Sequence, residues 1–113
     1  MTNKQRLKLI EKNLKEVEEI TKDIKYLAMG DEALIEIAGI LDKNTAVIRD
    51  FVTNPSHDKI PNIKKNIDEI EEMARCVDVN ASNDHNLINL SKTLYLDALA
   101  LMDYAENYEK QNT

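Results

Sequence analysis

Two histidines in this chain each stand beside an acidic residue, a combination of side chains that often ligates metal ions. The pairs are His57 with Asp58, and Asp84 with His85. The loops predicted to carry them are separated by a helix of about 18 residues, which spans roughly 27 Å. We therefore expect two separate pairs in surface loops at opposite ends of the molecule, and no shared metal site.

Two pairs of carboxylates have the spacing of a magnesium site. Glu69 and Glu72 form an E-x-x-E pair, and Asp103 and Glu106 form a second pair with the same separation. This pattern resembles the E-x-x-E and E-x-x-D motifs with which all-α nucleotide pyrophosphohydrolases hold Mg²⁺, a cation that prefers oxygen ligands. The resemblance implies a metal-dependent nucleotide hydrolase. However, Glu69 and Glu72 fall off the apolar stripe of their helix, so an ordinary solvated face is the preferred interpretation.

The sequence contains no pattern typical of nucleophilic catalysis or of a phosphate-binding loop. Ser82 and Ser91 have no histidine within helical reach that a carboxylate also holds. Two glycines in 113 residues do not make a phosphate cradle. Cys76, the single cysteine, stands beside Val77 on an apolar face, where we expect a buried structural thiol. The sequence thus predicts a protein that is not an enzyme, with no cofactor and no bound metal.

Size and charge limit the classes of partner. A chain of 113 residues, of which 42% are hydrophobic and 32% charged, can form one domain with a real core. A net charge of −6 disfavours phosphate contacts with nucleic acid and attraction to an anionic membrane. The first residues lead into an amphipathic helix rather than a signal peptide, and a lone cysteine fits a reducing compartment. We expect a cytoplasmic protein that binds neither nucleic acid nor membranes.

The spacing of apolar residues predicts four α-helices, because apolar side chains recur at alternating steps of three and four. The predicted helices cover residues 3–29, 32–53, 61–77 and 83–108. Short connections make consecutive helices antiparallel neighbours. The fold class is therefore all-α, an antiparallel up-down-up-down four-helix bundle, and the whole chain is one domain.

Several helix boundaries depend on single polar residues. Asn44 and Thr45 could interrupt helix two, because both side chains can cap a new helix, although one continuous helix is preferred. Ser82 or Asn83 should begin helix four. The polar tail over residues 109–113 is expected to fray.

Two of the four helices carry more apolar surface than a simple bundle buries. Helices one and three have one apolar stripe each, whereas helices two and four have a second apolar face. The surplus residues are Ile88, Tyr95, Leu99 and Met102 in helix four, and Ala33, Ile40 and Val47 in helix two. We expect them to form one interaction surface, covered by a second copy in a homodimer or by another protein. The alternative is that both helices sit deeper in a skewed bundle.

Four further residues are candidates for contacts with a small ligand: Lys25, Tyr26, Arg75 and Asp97. The first three could line a polar pocket with basic groups. Asp97 stands among leucines, and two interpretations apply to it. It faces a solvated strip of helix four, which is preferred, or it is a partly buried carboxylate, hydrogen-bonded to a Tyr or Lys, that fixes helix register or contacts a ligand.

Three classes of function fit these patterns. The preferred class is a small acidic, non-catalytic protein–protein interaction module (an adaptor, inhibitor, immunity factor or chaperone) that acts by occupying a partner's surface. The second is a protein that binds or sequesters a small, nucleotide-like ligand, and the third is the metal-dependent nucleotide pyrophosphohydrolase. Size, acidity and the surplus apolar faces favour the first, and a Lys-, Asn- and Ile-rich composition suggests a bacterial or phage source.

Overall fold

The protein is a bundle of four long helices, in the order in which the sequence predicts them. The structure, a computed structural model, describes residues 1–111. The elements are α1 (Asn3–Ala28), α2 (Glu32–Thr53), a 3-10 turn (His57–Lys59), α3 (Ile60–Asn80) and α4 (His85–Lys110). Within residues 1–111, no helix combines the length and the apolar character needed to cross a membrane. The predicted fold class is confirmed.

The connection between α1 and α2 is a tight turn. α1 ends at Ala28, one residue earlier than predicted, because Met29 already has a left-handed backbone (φ 42°) and Gly30 follows with φ 90°. Asp31 then caps α2 by accepting hydrogen bonds from two backbone N–H groups of its first turn. So short a turn makes the two helices antiparallel neighbours.

The boundary between α3 and α4 lies later than predicted. α3 continues past residue 77 to Asn80, whose side chain donates a hydrogen bond to the carbonyl one turn earlier at 2.8 Å. α4 begins at His85, so the predicted start at Ser82 or Asn83 is wrong. Ser82 has a left-handed backbone (φ 52°), whereas an N-cap residue needs an extended one. Asp84 has that conformation and accepts the capping hydrogen bonds.

The end of α4 is held against its neighbours. Tyr108 packs edge-to-face on Phe51, with ring centroids 5.2 Å apart, and Glu109 pairs with Lys64 of α3 at 3.2 Å. These contacts carry α4 two residues beyond the predicted end at residue 108. Residues 109 and 110 of the predicted frayed tail are therefore helical, while residues 112 and 113 lie outside the described part of the chain.

α2 runs without a break through Asn44 and Thr45, as the preferred prediction has it. Asn44 is fully buried and donates hydrogen bonds to Asn66 and Glu69 of α3, both at 2.9 Å. The hydroxyl of Thr45 donates back to the carbonyl of Asp42 at 3.1 Å. α3 and the helix itself thus supply partners for the Asn44 NH₂ group and the Thr45 hydroxyl within a continuous helix, while the side-chain oxygen of Asn44 is buried without a hydrogen-bond partner among the described residues.

The four helices stand at the corners of a square. Each consecutive pair is packed together, and α4 closes the square against α1. α2 and α4 therefore lie at opposite corners, as do α1 and α3. Each helix turns one stripe of side chains into a common core, which includes the fully buried Leu14, Leu41, Ile67 and Leu94.

Candidate interaction surface

α4 presents an apolar face to solvent on the side that points away from the core. Its inward stripe, Leu87, Leu94, Ala98, Leu101 and Ala105, is buried. Leu96 and Leu99 lie on the opposite side, with 64% and 44% of their surface exposed. Lys92 and Asp103, one helical turn beyond them, are exposed on the same side. We call Lys92, Leu96, Leu99 and Asp103 the outer face of α4.

The four residues predicted as surplus on helix four divide into two groups. Tyr95 and Leu99 are exposed, whereas Ile88 and Met102 are half-buried and pack against the core. The alternative prediction, that helix four sits deeper in the bundle, therefore describes Ile88 and Met102 better than the prediction of an exposed surface. An interaction role for all four residues stays a prediction.

Tyr95 lies at the margin of the outer face that is nearer to α3. There it lines an open groove of about 300 Å³ between α3 and α4. The charged residues of this groove are Arg75 and Asp78 of α3 with Lys92 of α4. The groove is thus an extension of the outer face with charges of both signs.

The surplus residues of helix two do not join this surface. Ala33, Ile40 and Val47 are half-buried, and their spacing places them on the same edge of α2 as Asn44, which bonds to α3. Because α2 and α4 stand at opposite corners of the square, the two strips lie on different sides of the bundle. The prediction that helix two supplies a companion surface for helix four is therefore wrong.

The basic and aromatic residues proposed to contact a ligand are held apart. Lys25 pairs with Asp42 at 2.7 Å on the side between α1 and α2. Arg75 pairs with Glu71 at 3.0 Å on the side between α3 and α4. Tyr26 lines a groove of about 330 Å³ between α1 and α4. Three different sides of the bundle carry these residues, so they form no common pocket.

Asp97 is buried, so the preferred prediction that it faces a solvated strip is wrong. Only 4% of its surface is exposed, and its Oδ1 accepts a hydrogen bond from Asn13 of α1 at 3.0 Å. Its Oδ2 is buried without a hydrogen-bond partner among the described residues. The alternative interpretation, a buried carboxylate that joins two helices, agrees better with the structure, although the partner is an asparagine and not a Tyr or Lys.

The surroundings of Asp97 favour its protonated form. Burial is the main cause, the nearby carboxylate of Glu16 adds to it, and the hydrogen bond from Asn13 acts in the opposite direction. Together they raise the pKa of Asp97 from 3.8 to about 7. Asp97 lines neither of the two grooves described above, so its role here is in the packing of α1 on α4.

The two histidines are at opposite ends of the bundle, as the sequence predicts. His57 lies in the 3-10 turn and packs on Tyr108, near the end of α4, with ring centroids 5.1 Å apart. His85 is the first residue of the same helix. A helix of 26 residues separates the two ends by about 39 Å, so the two histidines cannot share a ligand.

The four candidate carboxylates do not assemble into a metal site. Glu69 faces α2, where it accepts the hydrogen bond from Asn44, and Asp103 lies on the outer face of α4. Among the residues that the structure describes, no three His, Cys, Asp or Glu side chains come close enough to hold a metal ion. The arrangement of two paired motifs that the pyrophosphohydrolase resemblance implies is therefore not formed.

Sequence reasoning missed Leu96, which is the most exposed large apolar side chain of α4. Counting from Ile88 by seven, four and three selects the neighbouring stripe, which turns partly into the core. The missed signal is the L-x-x-L pair of Leu96 and Leu99 between Lys92 and Asp103. Charged residues one turn away on either side mark that stripe as outward-facing.

Comparison of the chain with protein-family models, with curated proteins and with solved structures found no match.

Proposed function

We propose that this chain is a small, acidic, non-catalytic protein–protein interaction module that acts by occupying a partner's surface through the outer face of α4. The proposal is carried by the exposure of Leu96 and Leu99 on a helix whose inward stripe is already complete. Covering a leucine-sized side chain is worth on the order of 1.5–3 kcal/mol. Burial of Leu96 and Leu99 against a partner would therefore stabilise a complex, whereas the core does not require either side chain.

The charges around this face fit a protein partner. An apolar centre with charged residues at its rim is the usual anatomy of a protein interface, and Lys92 and Asp103 supply one charge of each sign. The net charge of −6 makes nucleic acid and anionic lipid poor alternatives. An adaptor, an inhibitor, an immunity factor and a chaperone all act by this kind of contact.

The second class of function, binding of a nucleotide-like ligand, has weaker support. Its candidate contacts Lys25, Tyr26 and Arg75 lie on three sides of the bundle, and two of them are already in ion pairs. A ligand with phosphate groups would need cations that converge. No observation therefore supports binding of a nucleotide-like ligand as strongly as binding of a protein partner.

The proposal is tested by affinity capture from lysate of the source organism. The wild-type chain should retain a specific protein, and Leu96→Glu with Leu99→Glu should lose it. Tyr26→Glu with Ile35→Glu is the matched control, because it places two glutamates at exposed apolar positions of α1 and α2, outside the outer face of α4. Equal retention by both double variants, or loss in the control alone, would contradict the proposed surface.

Glu69→Gln with Glu72→Gln should leave both capture and stability nearly unchanged, because both side chains are exposed and an amide oxygen at position 69 can still accept the hydrogen bond from Asn44. The melting temperature should move by no more than the equivalent of about 0.5 kcal/mol, as is usual for surface substitutions. Thermal shift with nucleotides and Mg²⁺ provides the second measurement, since a bound ligand raises the melting temperature. A Mg²⁺-dependent nucleotide hydrolysis that this double variant abolishes would replace the proposal with the enzyme.

A further inference from the structure

The outer face of α4 has the same order of charged and apolar residues, with one charged residue at each end and two leucines between them, when it is read from either end. Lys92 stands four residues before Leu96, and Asp103 stands four residues after Leu99. All four side chains are exposed along one stripe of an unbroken helix. A cation, two leucines and an anion are therefore spaced symmetrically about the midpoint between Leu96 and Leu99.

We propose that this face pairs with the same face of a second copy of the chain, with the two α4 helices antiparallel about a two-fold axis. Rotation about that midpoint sets Leu96 against Leu99 of the second copy. The same rotation sets Lys92 against Asp103 of the second copy, and does so twice in each dimer. The inference rests on the proposed function and adds the identity and the orientation of the partner.

Charge selects this orientation over the parallel one. In a parallel pairing Lys92 would lie beside Lys92 of the second copy, and Asp103 beside Asp103, which is repulsive in both places. Neither residue is among the ion pairs that the chain forms within residues 1–111. The side-chain contact of Asp103 is a hydrogen bond from Asn107 at 3.2 Å, which leaves carboxylate oxygen available.

The margin of the face extends the apolar centre. Tyr95 and Met102 lie on the side of α4 that is nearer to α3, and a two-fold rotation keeps that margin on the same side of both copies. Tyr95 is therefore brought next to Met102 of the second copy, where an aromatic ring and a thioether make favourable contact. Each copy contributes two leucines, one tyrosine and one methionine to the contact.

The length of the contact indicates a weak dimer. The segment from Lys92 to Asp103 spans about 17 Å of helix, which is short compared with the standard interfaces of stable complexes. We expect a dissociation constant on the order of 100 µM, because the contact is smaller than a standard interface. Dimers should thus predominate at high protein concentration and dissociate on dilution.

Sedimentation equilibrium of the full chain with exchanged charges tests the pairing. Lys92→Glu places glutamate against Asp103 of its partner, and Asp103→Lys places lysine against Lys92, so each variant alone should dimerise at least about tenfold more weakly than the wild type. An equimolar mixture of the two variants should regain wild-type association, because both cross-pairs become attractive in the heterodimer. Lys12→Glu, an exposed substitution on α1, is the control and should dimerise like the wild type.

Recovery in the mixture would also show that both variants are folded. A wild type that remains monomeric at about 1 mM, ten times the expected dissociation constant, would overturn the homodimer. Single variants that dimerise as well as the wild type, or a mixture that stays monomeric, would overturn the antiparallel pairing. If the pairing failed and the proposed function held, affinity capture would still retain a protein in a way that depends on Leu96 and Leu99, so the two failures can be told apart.

Discussion

Replacing Ile67 with aspartate should destabilise the protein by about 4 kcal/mol or more and leave much of it unfolded, since small domains are stable by roughly 5–15 kcal/mol. Ile67 lies on the inward stripe of α3 and is almost fully buried between apolar neighbours. The substitution removes a large apolar side chain from the core and leaves a carboxylate without a partner. Urea unfolding followed by circular dichroism at 222 nm gives the change in the free energy of unfolding.

The matched control for this prediction is Lys65→Asp, which introduces the same side chain on the exposed side of the same helix. It should change the free energy of unfolding by no more than about 0.5 kcal/mol, as is usual for surface positions. If both variants were equally stable, the inward stripe of α3 would be misplaced. If both were unfolded, aspartate in α3 would be harmful for a reason other than burial.

The free energy of unfolding should fall as the pH rises from about 4 to about 7, because of Asp97. The folded state holds its proton with a pKa of about 7, whereas the ordinary value is 3.8. Between these values the folded chain binds a proton that the unfolded chain releases, so raising the pH favours unfolding. Each factor of ten in proton affinity is worth 1.36 kcal/mol, which gives a total loss on the order of 4 kcal/mol above pH 7.

Asp97→Asn isolates this effect from other titrating groups. The amide oxygen of the new side chain can still accept from Asn13, and its NH₂ group can donate to the nearby carboxylate of Glu16. Between pH 5 and pH 8 the wild type should lose about 3 kcal/mol of stability relative to the variant, because the amide does not titrate. Equal stability at both pH values would mean that Asp97 keeps an ordinary pKa. A less stable variant at pH 8 would mean that the ionised carboxylate of Asp97 stabilises the folded state, which contradicts the prediction.

The fold could be predicted from the sequence because helices of more than 20 residues leave long periodic patterns. The stripe of α1, from Ile10 to Ile24, is buried as its period indicates. Errors in the predicted fold were confined to helix ends, where the backbone conformation of one residue decides where the helix begins or ends. The left-handed backbone of Ser82 shifted the start of α4, and no pattern of apolar residues reveals such a conformation.

The interaction surface was predicted less well, for two physical reasons. The apolar strips of helices two and four were assigned to one surface, but a square bundle puts these helices at opposite corners. Adjacency of non-consecutive helices depends on the packing of the whole chain, which periodicity within one helix does not contain. Asp97 was misassigned because its partner, Asn13, lies 84 residues away in the sequence.

Site-specific photocrosslinking in cells of the source organism tests the central claim, that the outer face of α4 is where this protein contacts its partner. A photoreactive amino acid replaces Leu96 or Leu99 in turn, and Tyr26 or Ile35 in the control chains, all of which are exposed. We predict protein adducts from positions 96 and 99, and none from positions 26 and 35. An adduct of twice the chain's mass would identify a second copy, and another mass a foreign protein. Adducts from positions 26 or 35 with none from 96 and 99 would contradict the claim.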